Sequence, residues 1–144
     1  MITLNGIPQV LWPDHCVQGT FGAELSEKLD KDGIDHIVRK GEDAMIDSYS
    51  TFFDNGHLKK TDLDDYLHSK GVTELFILGL ATDYCVKYSC MDGINLGYSV
   101  NIVIDGCRGI DLNPGDIDRA VEEMVSAGAV VVKSEDILKL RNIE

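Results

Sequence analysis

Residues 74–96 read ELFILGLATDYCVKYSCMDGINL, and the rest of the chain is organised around them. Leu75-Phe76-Ile77-Leu78-Gly79-Leu80 is a short apolar run with almost nothing polar in it. Such a run predicts a strand buried on both faces, as in a parallel sheet covered by helices. Ala81-Thr82-Asp83 breaks the run, and Thr82 and Asp83 are both favourable helix N-caps. From there Val86, Cys90, Gly93, Ile94 and Gly97 form one apolar, small-residue stripe, so a helix is expected to lie close on the sheet. Cys85 falls in the first turn of that helix, just beyond a buried strand. Free N–H groups and the positive end of the helix dipole favour a thiolate there, which suits a nucleophile. On position alone, a small buried hydrophobe, the common fate of a free cysteine, is the reading to prefer for Cys85. Cys16, Cys90 and Cys107 lack this setting and are expected to be core or loop thiols.

Strand and helix signals alternate along the remainder. Residues 34–40 predict a strand ending at Gly41, residues 98–105 a second and residues 129–132 a last one. A helix is expected at Thr61–Lys70, with Thr61 and Asp64 as capping box and Gly71 as C-cap. Another starts at Asn113-Pro114, faces the core with Ile117, Ala120, Val121, Met124 and Val125, and ends at Gly128. Residues 24–29 predict a short helix, and a final helix begins at Ser134. Residues 1–20 and 41–60 read as loop, the latter with a turn at Asp54-Asn55-Gly56. The pattern predicts an α/β fold: three layers, αβα, around a mostly parallel sheet, in one domain spanning residues 1–144. In such sheets ligands bind beyond the carboxyl ends of the strands. Lys40, the Ala81–Cys85 turn and Asp105-Gly106-Cys107-Arg108 are delivered there. Lys40 either snorkels to solvent or stands beside Cys85 as a cation for a thiolate. About four strands are few, and the loop content is high, so N-terminal strands that would pack on this side are expected to be missing.

Composition narrows the function. With 144 residues, 44% hydrophobic and 26% charged, the chain can build one soluble core. A net charge of −12 with no basic cluster argues against nucleic acid and against anionic membranes as partners. No apolar run is long enough to span a bilayer, and four cysteines without CxxC spacing do not form a disulfide framework or zinc knuckle. A reducing cytoplasm is the expected compartment.

The segments Trp12-Pro13-Asp14-His15-Cys16-Val17, Arg39-Lys40-Gly41, Asp47-Ser48-Tyr49-Ser50, Gly79-Leu80-Ala81-Thr82-Asp83-Tyr84-Cys85-Val86 and Asp105-Gly106-Cys107 resemble the bacterial nicotinamidase (pyrazinamidase) family. That family belongs to the isochorismatase-like cysteine hydrolases, and the likeness runs in order from about Gly6 to about Ile137. The resemblance implies that Cys85 attacks the carboxamide carbon of nicotinamide, ammonia leaves, and water releases nicotinic acid from a thioester, a step of NAD salvage. It implies Lys40 as the catalytic lysine and the backbone N–H groups of Ala81 and Cys85 as the oxyanion hole. It also implies a cis peptide at Leu80–Ala81, Trp12 against the pyridine ring, Tyr84 lining the pocket, and His15 as ligand of one divalent ion: zinc, iron or manganese. His36, His57 and His68 match no ligand position.

The sequence also departs from the family. The family's D-x-x-N-D-F-like motif, which carries the general base, and its D-x-H metal pair are both absent. The chain reads as the C-terminal two-thirds of such an enzyme, expected to hold metal weakly or not at all and to turn over at a trace rate. Two other readings stand beside it: a related amidase acting on another small amide, and a catalytically dead module that only binds small molecules or partners. Association into a homo-oligomer is left open.

Overall fold

The computed structural model describes residues 2–141. The expected domain limits at residues 1 and 144 lie outside the described residues. Three parallel strands form the central sheet in the order β3 (Glu74–Leu80), β4 (Ser99–Arg108), β5 (Val130–Val132). In β3 and β4, Leu75 pairs with Val100 and Ile77 with Ile102, which puts these four side chains on one face. Helix α2 (Lys87–Asn95) lies against that face, and α3 (Asp116–Ala127) packs on α2. Gly93 lets α2 approach closely: a Cβ there would stand 3.2 Å from Leu75 Cδ1 and 3.3 Å from Val100 Cγ2. Cys90, Ile102 and Met124 are fully buried in the resulting core, with Phe52 and Val86 beside them. The α/β class, a parallel sheet flanked by helices, is therefore the one expected from the apolar pattern. Helix α4 (Ser134–Arg141) begins where expected and touches β4.

Several elements differ from expectation. β3 is not buried on both faces: Leu75 and Ile77 are half-buried, whereas Phe76, Leu78 and Leu80 are 38%, 58% and 72% exposed. Only β4 pairs with β3 among the described residues, so one of its edges and one of its faces are uncovered. On α3, Val125 points outward while Ala120 and Met124 carry the core contact. That helix starts at Asp116 rather than Asn113, because Asp116 Oδ2 accepts from the Asn113 amide and folds the preceding residues into a turn. Gly128 ends it in the left-handed conformation, as expected.

The N-terminal half holds most of the corrections. Residues 2–9 are not loop but a hairpin of β1 (Ile2–Leu4) and β2 (Ile7–Gln9), turned at Asn5-Gly6, both with positive φ. Asn-Gly between apolar residues is a strong hairpin signal, so this element was readable. The helix expected at 24–29 is absent; residues 27–28 form only a turn, after a single 3₁₀ turn at Phe21–Ala23. Six residues, all of them exposed, have too little packing to offset the cost of a helix nucleus. Residues 34–40 are extended, with Ile34, His36, Val38 and Lys40 turned inward, but they pair with no strand. Side chains hold them instead: His36 Nε2 lies 2.9 Å from Asp62 Oδ2, and its ring stacks on Tyr66. Helix α1 (Leu63–Ser69) starts two residues late. Thr61 Oγ1 does accept from the Leu63 amide, but Asp64 turns away to accept from the Tyr98 hydroxyl.

Candidate active site

The chain leaves β3 through a cis peptide at Leu80–Ala81. It then enters a π-helical turn, Thr82–Val86, in which the Val86 N–H reaches back to the Ala81 carbonyl, before continuing as α2. Such wide turns are rare and recur at functional sites. Neither Thr82 nor Asp83 caps the helix; both are buried. Asp83 instead spans the gap to the chain leaving β4. Its Oδ1 accepts from the Ile110 amide at 3.0 Å and its Oδ2 from the Asp111 amide at 2.9 Å.

Cys85 is half-buried on this turn. Lys40 Nζ lies 3.3 Å from its Sγ and donates a second hydrogen bond, at 2.7 Å, to the Ser48 carbonyl. The unpaired segment 34–40 thus delivers an ammonium to a thiol 45 residues away. The shorter bond to the carbonyl gives the ammonium a second anchor besides the sulfur. The other thiols differ. Burial pushes the Cys90 thiol up to about 11 and raises that of Cys107 as well, whereas Cys16 is exposed.

A cavity of about 550 Å³ opens over Cys85, within the range of small-molecule sites. All six residues expected at the site, Trp12, His15, Lys40, Ala81, Tyr84 and Cys85, line it together. Trp12 and Tyr84 meet edge to face at 4.8 Å. The Trp12 indole N–H donates to the Tyr49 hydroxyl at 3.2 Å, and the Tyr49 ring in turn lies 5.4 Å from Tyr84. Burial raises the pKa of both phenols, so they stay protonated hydroxyls at neutral pH. Arg108 also lines it, at the strand end where polar groups were expected, whereas Tyr49 and the Gly109–Ile110 wall were not among the expected site residues. Tyr49 could have been found from its place in the Asp47–Ser50 segment; Ile110 carries no local signal. A larger, more polar hollow of about 780 Å³ adjoins the site across Lys40, between residues 37–48 and 54–62. It holds no thiol.

His15 Nδ1 lies 2.7 Å from the Pro13 carbonyl. A carbonyl only accepts, so Nδ1 carries the proton, and in the neutral ring Nε2 is the nitrogen with a free lone pair. Among the described residues no trio of histidine, cysteine, aspartate or glutamate side chains is gathered to hold an ion. One histidine does not fit a divalent-metal site, which takes three or more protein ligands. His36, His57 and His68 are each engaged with aspartates, at Asp62, Asp92 and Asp64.

A thiol held against an ammonium, at the carboxyl end of a parallel strand and under an aromatic-walled cavity, is an arrangement that suits nucleophilic chemistry by a cysteine in an α/β fold. The chain belongs to the isochorismatase family, whose domain matches residues 7–136. It is 49% identical to the nicotinamidase of Escherichia coli (strain K12) over 133 residues, 92% of this chain and 62% of that protein. The structure of the Acinetobacter baumanii nicotinamidase/pyrazinamidase superposes with a TM-score of 0.85 at 40% identity, over 90% of this chain and 62% of the other. That of a Pyrococcus horikoshii pyrazinamidase in complex with zinc superposes with a TM-score of 0.72 at 36% identity, over 85% and 63%. The chain thus spans about three-fifths of the length of these relatives.

Proposed function

We propose that this chain carries the nucleophile, cation and ring pocket of a nicotinamidase-type amidohydrolase, within one domain reaching from residue 1 to residue 144. The observation that carries the reading is the 3.3 Å contact of Lys40 Nζ with Cys85 Sγ under the cavity walled by Trp12 and Tyr84. Cys85 Sγ attacks the carboxamide carbon, so a C–S bond forms and the carbonyl oxygen takes up negative charge. The Ala81 and Cys85 N–H groups are assigned to that oxygen, and the Lys40 ammonium supports the charged sulfur. The C–N bond then breaks, ammonia leaves with the proton given up by the thiol, and water cleaves the thioester to the acid. Trp12 and Tyr84 hold a flat heteroaromatic ring by face and edge contacts.

No carboxylate among the described residues hydrogen-bonds to Cys85 or Lys40, and none is assigned as general base. A relative's structure holds zinc. We assign His15 Nε2 as one ligand for a divalent ion such as zinc, iron or manganese. The remaining ligands are not gathered among the described residues, and no step is routed through the ion. The substrate class is a small aromatic carboxamide, with the reducing cytoplasm as the compartment. No helix among the described residues is long and apolar enough to cross a membrane.

Two measurements test this. Nicotinamide or pyrazinamide at millimolar concentration is expected to slow iodoacetamide labelling of Cys85, read by peptide mass spectrometry. Ammonia release from the same amides is expected to be slow and to fall to background in Cys85→Ala. Absence of both protection and release would discard the substrate assignment. Release that persists in Cys85→Ala would discard the nucleophile.

A further inference from the structure

We propose that Asp83 is a positioning residue that sets the width of the slot between the nucleophile turn and the wall formed by Arg108, Gly109 and Ile110. The proposal builds on the assignment of Cys85 as the reacting group. Asp83 is 7% exposed, and no lysine, arginine or histidine pairs with it among the described residues. A buried carboxylate without a cation must be satisfied by other donors. Its two oxygens are taken up one each by the Ile110 and Asp111 amides, at 3.0 and 2.9 Å, across 27 and 28 residues of chain. Asp83 lies two residues from Cys85 in the same hydrogen-bonded turn. One rigid unit therefore carries both the nucleophile and the clamp on the opposite wall.

Gly109 supplies the second observation. A Cβ at this position would stand 2.4 Å from Ile117 Cγ1 and 3.1 Å from Asp83 Oδ1. The wall is thus pressed between the Asp83 carboxylate and α3, with no room for a side chain. Wall residues Arg108, Gly109 and Ile110 all line the cavity over Cys85. Two N–H donors need two acceptors, which an aspartate offers and an asparagine does not. Asp83→Asn keeps the volume, loses one acceptor and sets an N–H against an N–H.

The test compares alkylation of Cys85 in the 144-residue chain by iodoacetamide, which is small, and by N-phenylmaleimide, which fills a ring-sized slot. Peptide mass spectrometry reads Cys85, and exposed Cys16 serves as the internal control. Asp83→Asn is expected to change the ratio of the two rates at Cys85 by about fivefold or more, in line with the loss of one charge-assisted bond. The iodoacetamide rate stays near that of the parent, the melting transition stays cooperative at a lower midpoint, and hydrogen exchange at the Ile110 and Asp111 amides speeds up. Asp83→Glu, which keeps both acceptors on a longer arm, is expected to restore slow exchange while still shifting the ratio; it also decides the matter if Asp83→Asn does not fold. An unchanged ratio in a folded variant overturns the proposal. So does an equal loss of both alkylation rates together with the melting transition, which makes Asp83 a fold-holding residue only. None of these readings uses nicotinamide, so failure of nicotinamide to protect Cys85 strikes the substrate assignment and leaves Asp83 to be judged separately.

Discussion

The two halves of the molecule are held together by different forces. From Glu74 to Val132 the chain is a βαβαβ unit, with parallel ladders and an apolar core around Cys90, Ile102 and Met124. From residue 10 to residue 61 it has almost no regular structure, and polar side chains bonded to backbone hold it. Asp54 alone accepts from the Gly56, Leu58 and Lys59 amides. Asn55 accepts from Tyr49, and Ser89 reaches from α2 to hold the Thr51 amide. The candidate site is built where the halves meet. The ordered half contributes Ala81, Tyr84 and Cys85; the irregular half contributes Trp12, His15, Lys40 and Tyr49. The contrast shows a division of labour in which a rigid scaffold fixes the thiol and loops bring the groups that act with it.

The strongest way to break this contrast is in the core. Met124 is fully buried, and Met124→Ala is expected to cost about 2–5 kcal/mol through lost burial and a residual cavity. Urea unfolding should show the loss equally by circular dichroism, which reads the helices and sheet, and by the fluorescence of Trp12, which reads the loops. A smaller loss seen by only one probe would mean that the halves unfold separately.

The next effect concerns the meeting point. Lys40→Met keeps length and removes the charge against Cys85. It is expected to lower ammonia release from nicotinamide by about a hundredfold, the scale of losing one preorganised electrostatic contact. A loss below threefold would make the 3.3 Å contact incidental to the chemistry. Asp54→Ala acts on the loops alone. Three backbone amides lose their acceptor, a cost of about 1–3 kcal/mol. Both the Trp12 and the dichroism transitions should shift by that amount, as in Met124→Ala; a shift of the Trp12 transition alone would mean that the loops unfold separately.

What was legible in the sequence follows the same division. The ELFILGL run, the small stripe of α2 and the glycine ending α3 are local signals, and the structure places those elements within a few residues of where they were read. The grouping of the candidate site was legible through residue types at strand ends and through the motif resemblance, since all six expected residues line one cavity, and the roles given to them are proposals. The misses are of another kind. Residues 34–40 have a strand's alternation but no partner, and a ladder is a property of two segments, which a single-segment pattern cannot supply. Asp83 reads as an N-cap because local geometry is all the sequence exposes; its partners lie 27 and 28 residues on. Phe76, Leu78 and Leu80 read as buried because apolar runs report what a strand could bury, not what covers it.

A smaller effect is set by pH. Cys90 is fully buried, and burial raises its thiol from 9.0 to about 11. The folded state therefore keeps the proton longer than the unfolded chain does. This contribution is complete below pH about 9, where both states are protonated, and it declines as pH climbs toward about 11, where the unfolded chain alone has ionised. Stability of the ordered half should fall through that window, and Cys90→Val, which cannot ionise, should flatten the fall. An identical slope in the variant would place the alkaline sensitivity elsewhere.

The smallest expected effect tests the exposed side of β3. Leu78 is 58% exposed on the face where Phe76 and Leu80 also lie open. An exposed apolar residue contributes little to folding, so Leu78→Ser should change unfolding stability by no more than about 0.5 kcal/mol. The substitution keeps the β3–β4 ladder, since only a side chain changes, and Gly106 beside it has no side chain to lose contact with. The same swap should lower any tendency to associate, because it breaks a contiguous apolar strip beside an unpaired strand edge. Sedimentation at several protein concentrations, run with urea unfolding on parent and variant, separates the two outcomes. If Leu78→Ser costs as much as a buried leucine would, and the cost grows with protein concentration, the strip is covered in solution and the open face is an interface. If the cost is small at every concentration, the face is free, and the stability of the chain resides in the side of the sheet that α2 and α3 cover.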